Sequence, residues 1–174
     1  MLAQDRGRAL YWAREDTRRE DTFGEDTTLK TVITRNREET LALGELIGRS
    51  APGGAVIACR GGLGAGKTTL AKGIAKGLDI DEEVTSPTFT IISEYSGRLT
   101  FYHIDAYRLS GELDFAEIGG QELLEAPSSL CLIEWSERLP EIVNERTAII
   151  EIRVEEGERR SMSLSGSWLE ALLP

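Results

Sequence analysis

One stretch constrains this chain more than any other. The apolar run Ala55 to Cys59 leads almost directly into Gly61, and Gly66, Lys67 and Thr68 then complete the spacing G-x-x-x-x-G-K-[ST]. Immediately beyond, Leu70, Ile74 and Leu78 recur at helical spacing. A short apolar run without alternation is what a central parallel strand, covered on both faces, requires. A strand, a glycine-rich loop and a helix in that order form the unit from which doubly wound sheets are built, with ligands at the carboxyl ends of the strands. The fold class read from this unit is α/β, P-loop NTPase-like, with a mostly parallel central sheet flanked by helices.

The loop's chemistry follows from its residue types. Glycines let the backbone N–H groups of Gly62, Leu63, Gly64, Ala65 and Gly66 turn inward around phosphate oxygens, and the N-terminus of the following helix adds the positive end of its dipole. Lys67 is expected to reach the β- and γ-phosphates of a bound nucleotide, Thr69 is counted with the loop as nucleotide-binding, and the Thr68 hydroxyl is a hard oxygen donor suited to Mg²⁺. A carboxylate must face Thr68. Two apolar runs end in an acid, Leu130 to Ile133 at Glu134 and Phe101 to Ile104 at Asp105. Glu134 is favoured for the metal, directly or through water, because the preceding run is apolar throughout. Asp105 is then assigned to positioning the attacking water or to a second metal contact. A strand-end acid that merely caps a neighbouring helix is the ordinary alternative for either.

Elsewhere the pattern alternates strand and helix. Thr31 to Ile33 predict a first strand, and Asn36 followed by Glu39 predicts a capped helix that buries Leu43, Leu46 and Ile47 and stops at Pro52, Gly53 and Gly54. Further strands are predicted at Thr88 to Ile92, Leu99 to Ile104, Leu130 to Ile133, Ala148 to Val154 and Met162 to Leu164. Helical sequence is expected around Gly111 to Glu125 and at Trp168 to Leu173. With 174 residues, 40% of them hydrophobic, the chain suits one domain, residues 28–174. Residues 1–27 mix basic and acidic side chains around one apolar patch, Leu10 to Ala13. They read as a mobile extension, with a short docking helix as the alternative. The net charge of −10 opposes direct binding to nucleic acid or an anionic membrane. No membrane-spanning run or signal-peptide pattern is found, so a cytoplasmic location is expected. Cys59 and Cys131, each in an apolar segment, are expected to be buried reduced thiols.

Four ordered motifs carry a family resemblance: Gly61 to Thr69 (GGLGAGKTT), Ser86 to Phe89 (SPTF), His103 to Leu109 (HIDAYRL) and Ile133 to Glu137 (IEWSE). Over about residues 36–157 the chain resembles the bacterial tRNA threonylcarbamoyladenosine biosynthesis ATPase family, TsaE or YjeE. The resemblance implies a small magnesium-dependent ATPase that works with the TsaD and TsaB proteins, which modify adenosine 37 of tRNAs reading ANN codons. ATP turnover would reset that assembly, and tRNA would be reached only through it. By motif, the resemblance makes Lys67 and Thr68 phosphate-loop ligands, Thr88 a switch residue near the γ-phosphate, Asp105 catalytic and Glu134 a magnesium ligand. Trp135 would lie beside the nucleotide, and adenine contacts would come from Asn36 to Thr40, with Arg37 and Thr40 as the contact residues. Two departures stand out. Gly62 replaces a frequent Asp but leaves the phosphate cradle intact, and Gln121 to Leu124 replace residues that are usually acidic or aromatic.

Several of these residues also have ordinary readings. His103 shares a strand face with Phe101, which suits a packed neutral histidine better than a catalytic base. Pro87 is compatible with a shaped loop, and Trp135 with core packing. Among rival functions, a small-molecule P-loop kinase is the main alternative, although no acceptor-binding signature accompanies the loop. A guanine-nucleotide switch is excluded by the lack of N-K-x-D, since the lysines stand only at 30, 67, 72 and 76.

Overall fold

The computed structural model describes residues 13–18, 28–144 and 146–173. Its frame is one eight-stranded sheet in the order β1-β2-β8-β7-β3-β6-β5-β4. The strands are β1 (Ala13–Arg18), β2 (Thr28–Thr34), β3 (Ala55–Arg60), β4 (Ile92–Ser96), β5 (Thr100–Asp105), β6 (Ser129–Glu134), β7 (Ala148–Val154) and β8 (Arg160–Ser165). β3 lies between β6 and β7, and β5 lies beyond β6, all joined by parallel ladders. The parallel order is confined to these four central strands. Antiparallel ladders add β8, β2 and β1 on one side and β4 on the other. β6 is buried along its whole length, as a strand flanked by neighbours and covered on both faces must be.

Helices α1 (Arg37–Ser50) and α2 (Lys67–Gly77) cover one face. The Asn36 side chain caps α1 by accepting a hydrogen bond from the Glu39 amide at 2.9 Å, as the sequence predicts. Leu43 and Ile47 of α1 and Leu70 and Ile74 of α2 pack with Ile57, Leu130, Leu132 and Ile150, whereas Leu46 is only half-buried. The short helices α3 (Glu112–Glu117) and α4 (Gly120–Leu124) help close the other face, around Ile104, Phe115, Ile133 and Leu139. Lys30 Nζ secures the end of the final turn, α5 (Ser167–Glu170), by donating to the carbonyls of Glu170 at 2.7 Å and of Leu173 beyond it at 2.5 Å.

α1 and α2 run parallel at very close range. A Cβ built on Gly73 would lie 2.9 Å from the Gly44 Cα, and one on Gly48 would collide with the Ile74 carbonyl. Two four-residue glycine spacings, Gly44 with Gly48 and Gly73 with Gly77, create this contact. It aligns the two helices in the same direction, with Gly44 facing Gly73 and Gly48 facing Gly77.

Two expectations need correction. The strand predicted at Thr88 to Ile92 begins only at Ile92. Thr88 to Thr90 form a turn, in which the Ile91 amide donates to the Pro87 carbonyl at 2.6 Å and Ile91 takes a left-handed φ of 66°. Within the extension expected to be mobile, Ala13–Arg18 is an edge strand paired antiparallel with β2, from Ala13 opposite Ile33 to Arg18 opposite Thr28. Ladder bonds join backbone groups, so a charged segment without an apolar face can still pair. Leu10, Tyr11 and Trp12 lie outside the described residues. Among the described residues, no helix is long and apolar enough to cross a membrane.

Candidate functional site

The parallel ladders align three strand ends, since Glu134 of β6 stands opposite both Cys59 of β3 and Asp105 of β5. The loop from Gly61 to Gly66 rises from the neighbouring end of β3 and opens into α2. Gly64 and Gly66 adopt φ values of 72° and 110°, which residues bearing a Cβ rarely take, and a Cβ at Gly62, Gly64 or Gly66 would point into open space. Such a backbone leaves its amides unscreened at a helix N-terminus. From across the sheet, Arg160 Nε donates to the Ala65 carbonyl at 3.0 Å and fastens the loop to β8.

Beneath the loop, Thr68 Oγ1 donates to Glu134 Oε1 at 3.0 Å. Lys67 Nζ donates to the carbonyls of Gly61 at 2.7 Å and Gly62 at 3.0 Å. Its ammonium also lies 3.9 Å from the ring centroid of Trp135, a cation–π contact. Trp135 follows Glu134 in the left-handed conformation, φ 59°, which turns the indole out of the strand, and it packs against Tyr107 at 5.0 Å. Asp105 Oδ2 accepts from Thr88 Oγ1 at 2.9 Å, and its Oδ1 accepts from the Tyr107 amide at 3.0 Å. Because the Thr88 hydroxyl donates to Asp105, it accepts from Ser86 Oγ, 2.7 Å away. Phe89 is 84% exposed, with the Arg108 guanidinium 4.7 Å over its ring.

Lys67, Thr68, Thr88, Asp105, Glu134 and Trp135 therefore converge at one end of the sheet with the loop Gly62, Leu63, Gly64, Ala65 and Gly66, and Thr69 continues into α2. Thr40 is placed otherwise than the adenine-contact expectation supposes. It is buried, with its hydroxyl 2.9 Å from that of Thr34 and bonded to the Asn36 carbonyl at 3.3 Å, while Arg37 at the start of α1 is exposed. Three neighbours were not identified from sequence. Ser86 carried a signal in its motif, whereas Arg160, 95 residues from Ala65, had no local signal. His103, read as packing, hydrogen-bonds Glu134.

Burial, followed by the neighbouring Glu134 carboxylate, pushes the Cys59 thiol far above its usual range. Burial likewise pushes Cys131 up to about 11. Both cysteines are free and buried, as expected.

Hard oxygen donors from Thr68 and Glu134, with Asp105 alongside, are of the type that suits Mg²⁺, and the open glycine cradle is of the type that suits phosphate. Fold and site together define a P-loop NTPase-like α/β protein. Residues 34–162 match the family model described as threonylcarbamoyl adenosine biosynthesis protein TsaE. The tRNA threonylcarbamoyladenosine biosynthesis protein TsaE of Treponema pallidum (strain Nichols) is 45% identical over 122 residues, covering 70% of this chain and 90% of that relative. The protein of the same name from Bacillus subtilis (strain 168) is 43% identical over 128 residues, covering 72% and 79%. A crystal structure of Bacillus subtilis YdiB superposes with a TM-score of 0.69 at 35% identity, covering 83% of this chain and 92% of that one. The chain belongs to the TsaE family.

Proposed function

We propose that this protein is a magnesium-dependent ATPase of the cytoplasm. In this reading it binds and hydrolyses ATP at the loop Gly62 to Thr69 and acts as a switch on the TsaD–TsaB pair during threonylcarbamoyladenosine formation at adenosine 37 of tRNAs reading ANN codons. The observation that carries the reading is the Thr68 to Glu134 hydrogen bond, which joins the helix after the glycine loop to an acid at the end of the neighbouring strand. In that bond Thr68 gives its hydrogen to Glu134 and keeps its lone pairs for a cation. Bound Mg²⁺ would neutralise charge developing on the phosphates. Asp105, fixed by Thr88 and the Tyr107 amide, is the residue assigned to orient the attacking water. Arg37 is the exposed side chain at the α1 N-terminus available to the base. The four ordered motifs and the family membership support the partner assignment.

Lys67 tests the reading most directly. A charge-assisted contact to phosphate is worth roughly 1.5–3 kcal/mol, so Lys67→Ala should weaken ATP about ten- to a hundredfold in calorimetry. Wild-type protein should release phosphate from ATP only with Mg²⁺, measured with and without TsaD and TsaB. Equal ATP affinity in the variant would remove the phosphate-loop reading. Transfer of the γ-phosphate to a small acceptor would favour the kinase alternative.

A further inference from the structure

His103 is the chain's single histidine and has no exposed surface. Its ring stacks on Phe101, with centroids 5.9 Å apart and planes 12° from parallel, on the face of β5 that also carries Asp105. Packing alone would be met by a phenyl ring. The imidazole does more, since Nε2 lies 2.7 Å from Glu134 Oε1, the oxygen that also accepts from Thr68. Nδ1 is buried without a hydrogen-bond partner among the described residues.

The contact with Glu134 assigns the role of Nε2. A carboxylate oxygen only accepts, so Nε2 carries the hydrogen. A hydrogen on Nδ1 would be buried with no acceptor among the described residues, so Nε2 is the nitrogen through which the ring acts. Glu134 Oε1 thus receives two hydrogen bonds, and Oε2 receives none from a described side chain. A carboxylate held this way at one oxygen has lost most of its rotational freedom and offers the other as a hard donor.

We propose that His103 is a positioning residue for Glu134. Its Nε2–H pins Oε1 alongside Thr68, so that the carboxylate is already oriented for the divalent cation that accompanies the nucleotide. The proposal rests on the ATP and magnesium reading above. It differs from a packing role in its consequence: removing the donor while filling the space should loosen the metal and leave metal-free nucleotide binding alone.

The experiment uses the whole 174-residue chain, in which one histidine gives one imidazole signal. In long-range ¹H–¹⁵N spectra the tautomer should be Nε2–H, and adding Mg²⁺ to the ATP-bound protein should shift that nitrogen. Two variants follow. His103→Phe fills the space without a donor, whereas His103→Gln places an amide N–H near the same point. Calorimetry of Mg²⁺ binding to the ATP complex should show His103→Phe weakened about ten- to a hundredfold and His103→Gln within about threefold of wild type, as expected when a partner of a metal ligand is lost or kept. ATP affinity without metal should be unchanged in both. An Nδ1–H tautomer, an imidazole signal indifferent to Mg²⁺ in a protein that binds it, or equal metal affinity in the two variants would overturn the proposal. The wild-type spectrum decides it even if His103→Phe does not fold. A wild-type ATP complex that binds no Mg²⁺ would overturn the nucleotide reading itself and this inference with it, an outcome distinct from the others.

Discussion

At the scale of residues, the two strand-end acids hold different partners and therefore predict different defects. Glu134 is tied to Thr68 and His103, Asp105 to Thr88 and a backbone amide. Glu134→Gln keeps the shape and removes the anion, so it should retain nucleotide and lose magnesium-dependent hydrolysis, while Asp105→Asn should lower turnover with the metal requirement intact. Phosphate release across a magnesium titration checks this, and the opposite pattern would exchange the two roles. The buried thiols make a second prediction. Cys59 and Cys131 would ionise around their usual value of 9.0 once unfolded, but burial holds both above it in the fold. Above that pH the unfolded chain binds fewer protons than the native one. The thiols' contribution is therefore complete below 9.0 and drains away as the pH climbs through about 11 for Cys131. In reducing buffer, denaturation midpoints should fall between about pH 8 and pH 10, and the fall should be shallower in the Cys59→Ala/Cys131→Ala double variant.

At the scale of elements, the α1–α2 contact reverses the usual effect of replacing a helical glycine. Alanine in a helix normally gains roughly 0.5–1 kcal/mol over glycine. At Gly73, however, a Cβ would meet the Leu41 carbonyl and lie 2.9 Å from the Gly44 Cα, so two backbones would have to separate. Gly73→Ala should lose about 1–3 kcal/mol, as overpacking does, whereas Gly62→Ala, with nothing within 4 Å, should stay within about 0.5 kcal/mol. Chemical denaturation of both variants checks the contrast. The same elements show what a sequence can reveal. The unit from Ala55 to Leu78 was legible because apolar runs, glycine spacing and helical period all agree there. The glycine seam was not, because its spacing acquires meaning only once two helices are known to face each other. The run Thr88 to Ile92 misleads for a local reason. Its β-branched and aromatic residues suit a strand, but Pro87 and the hydroxyl of Thr88 are engaged in a turn that reaches Asp105. Site residues on strand ends were legible from their runs, whereas His103 and Arg160 depend on pairing between distant segments.

At the scale of the whole molecule, charge and architecture point to the same kind of partner. In this chain 20 lysines and arginines are outnumbered by 30 acids, and several of the cations are engaged at the site: Lys67 with loop carbonyls and Trp135, Arg160 with Ala65, Arg108 over Phe89 and Arg138 over Tyr107. Nucleic-acid affinity is dominated by cation contacts to phosphates, so the isolated chain should bind tRNA weakly at physiological salt. Its exposed aromatic surface lies beside the proposed nucleotide pocket, with Phe89 in the turn that joins Thr88 to Asp105 and Tyr107 packed on Trp135. A γ-phosphate that engaged Thr88 would move that turn, and Phe89 with it, changing the face shown to a partner. Association with a TsaD–TsaB complex should therefore be stronger in one nucleotide state than in another. A ligand shifts such an equilibrium only by its differential affinity for the two states, so a tenfold difference between ATP and ADP corresponds to about 1.4 kcal/mol of coupling. Binding measured to TsaD–TsaB and to bare tRNA, each with ATP, ADP and no nucleotide, tests both statements. Partner affinity indifferent to nucleotide would sink the switch, and tight binding of tRNA by the isolated chain would contradict the charge argument.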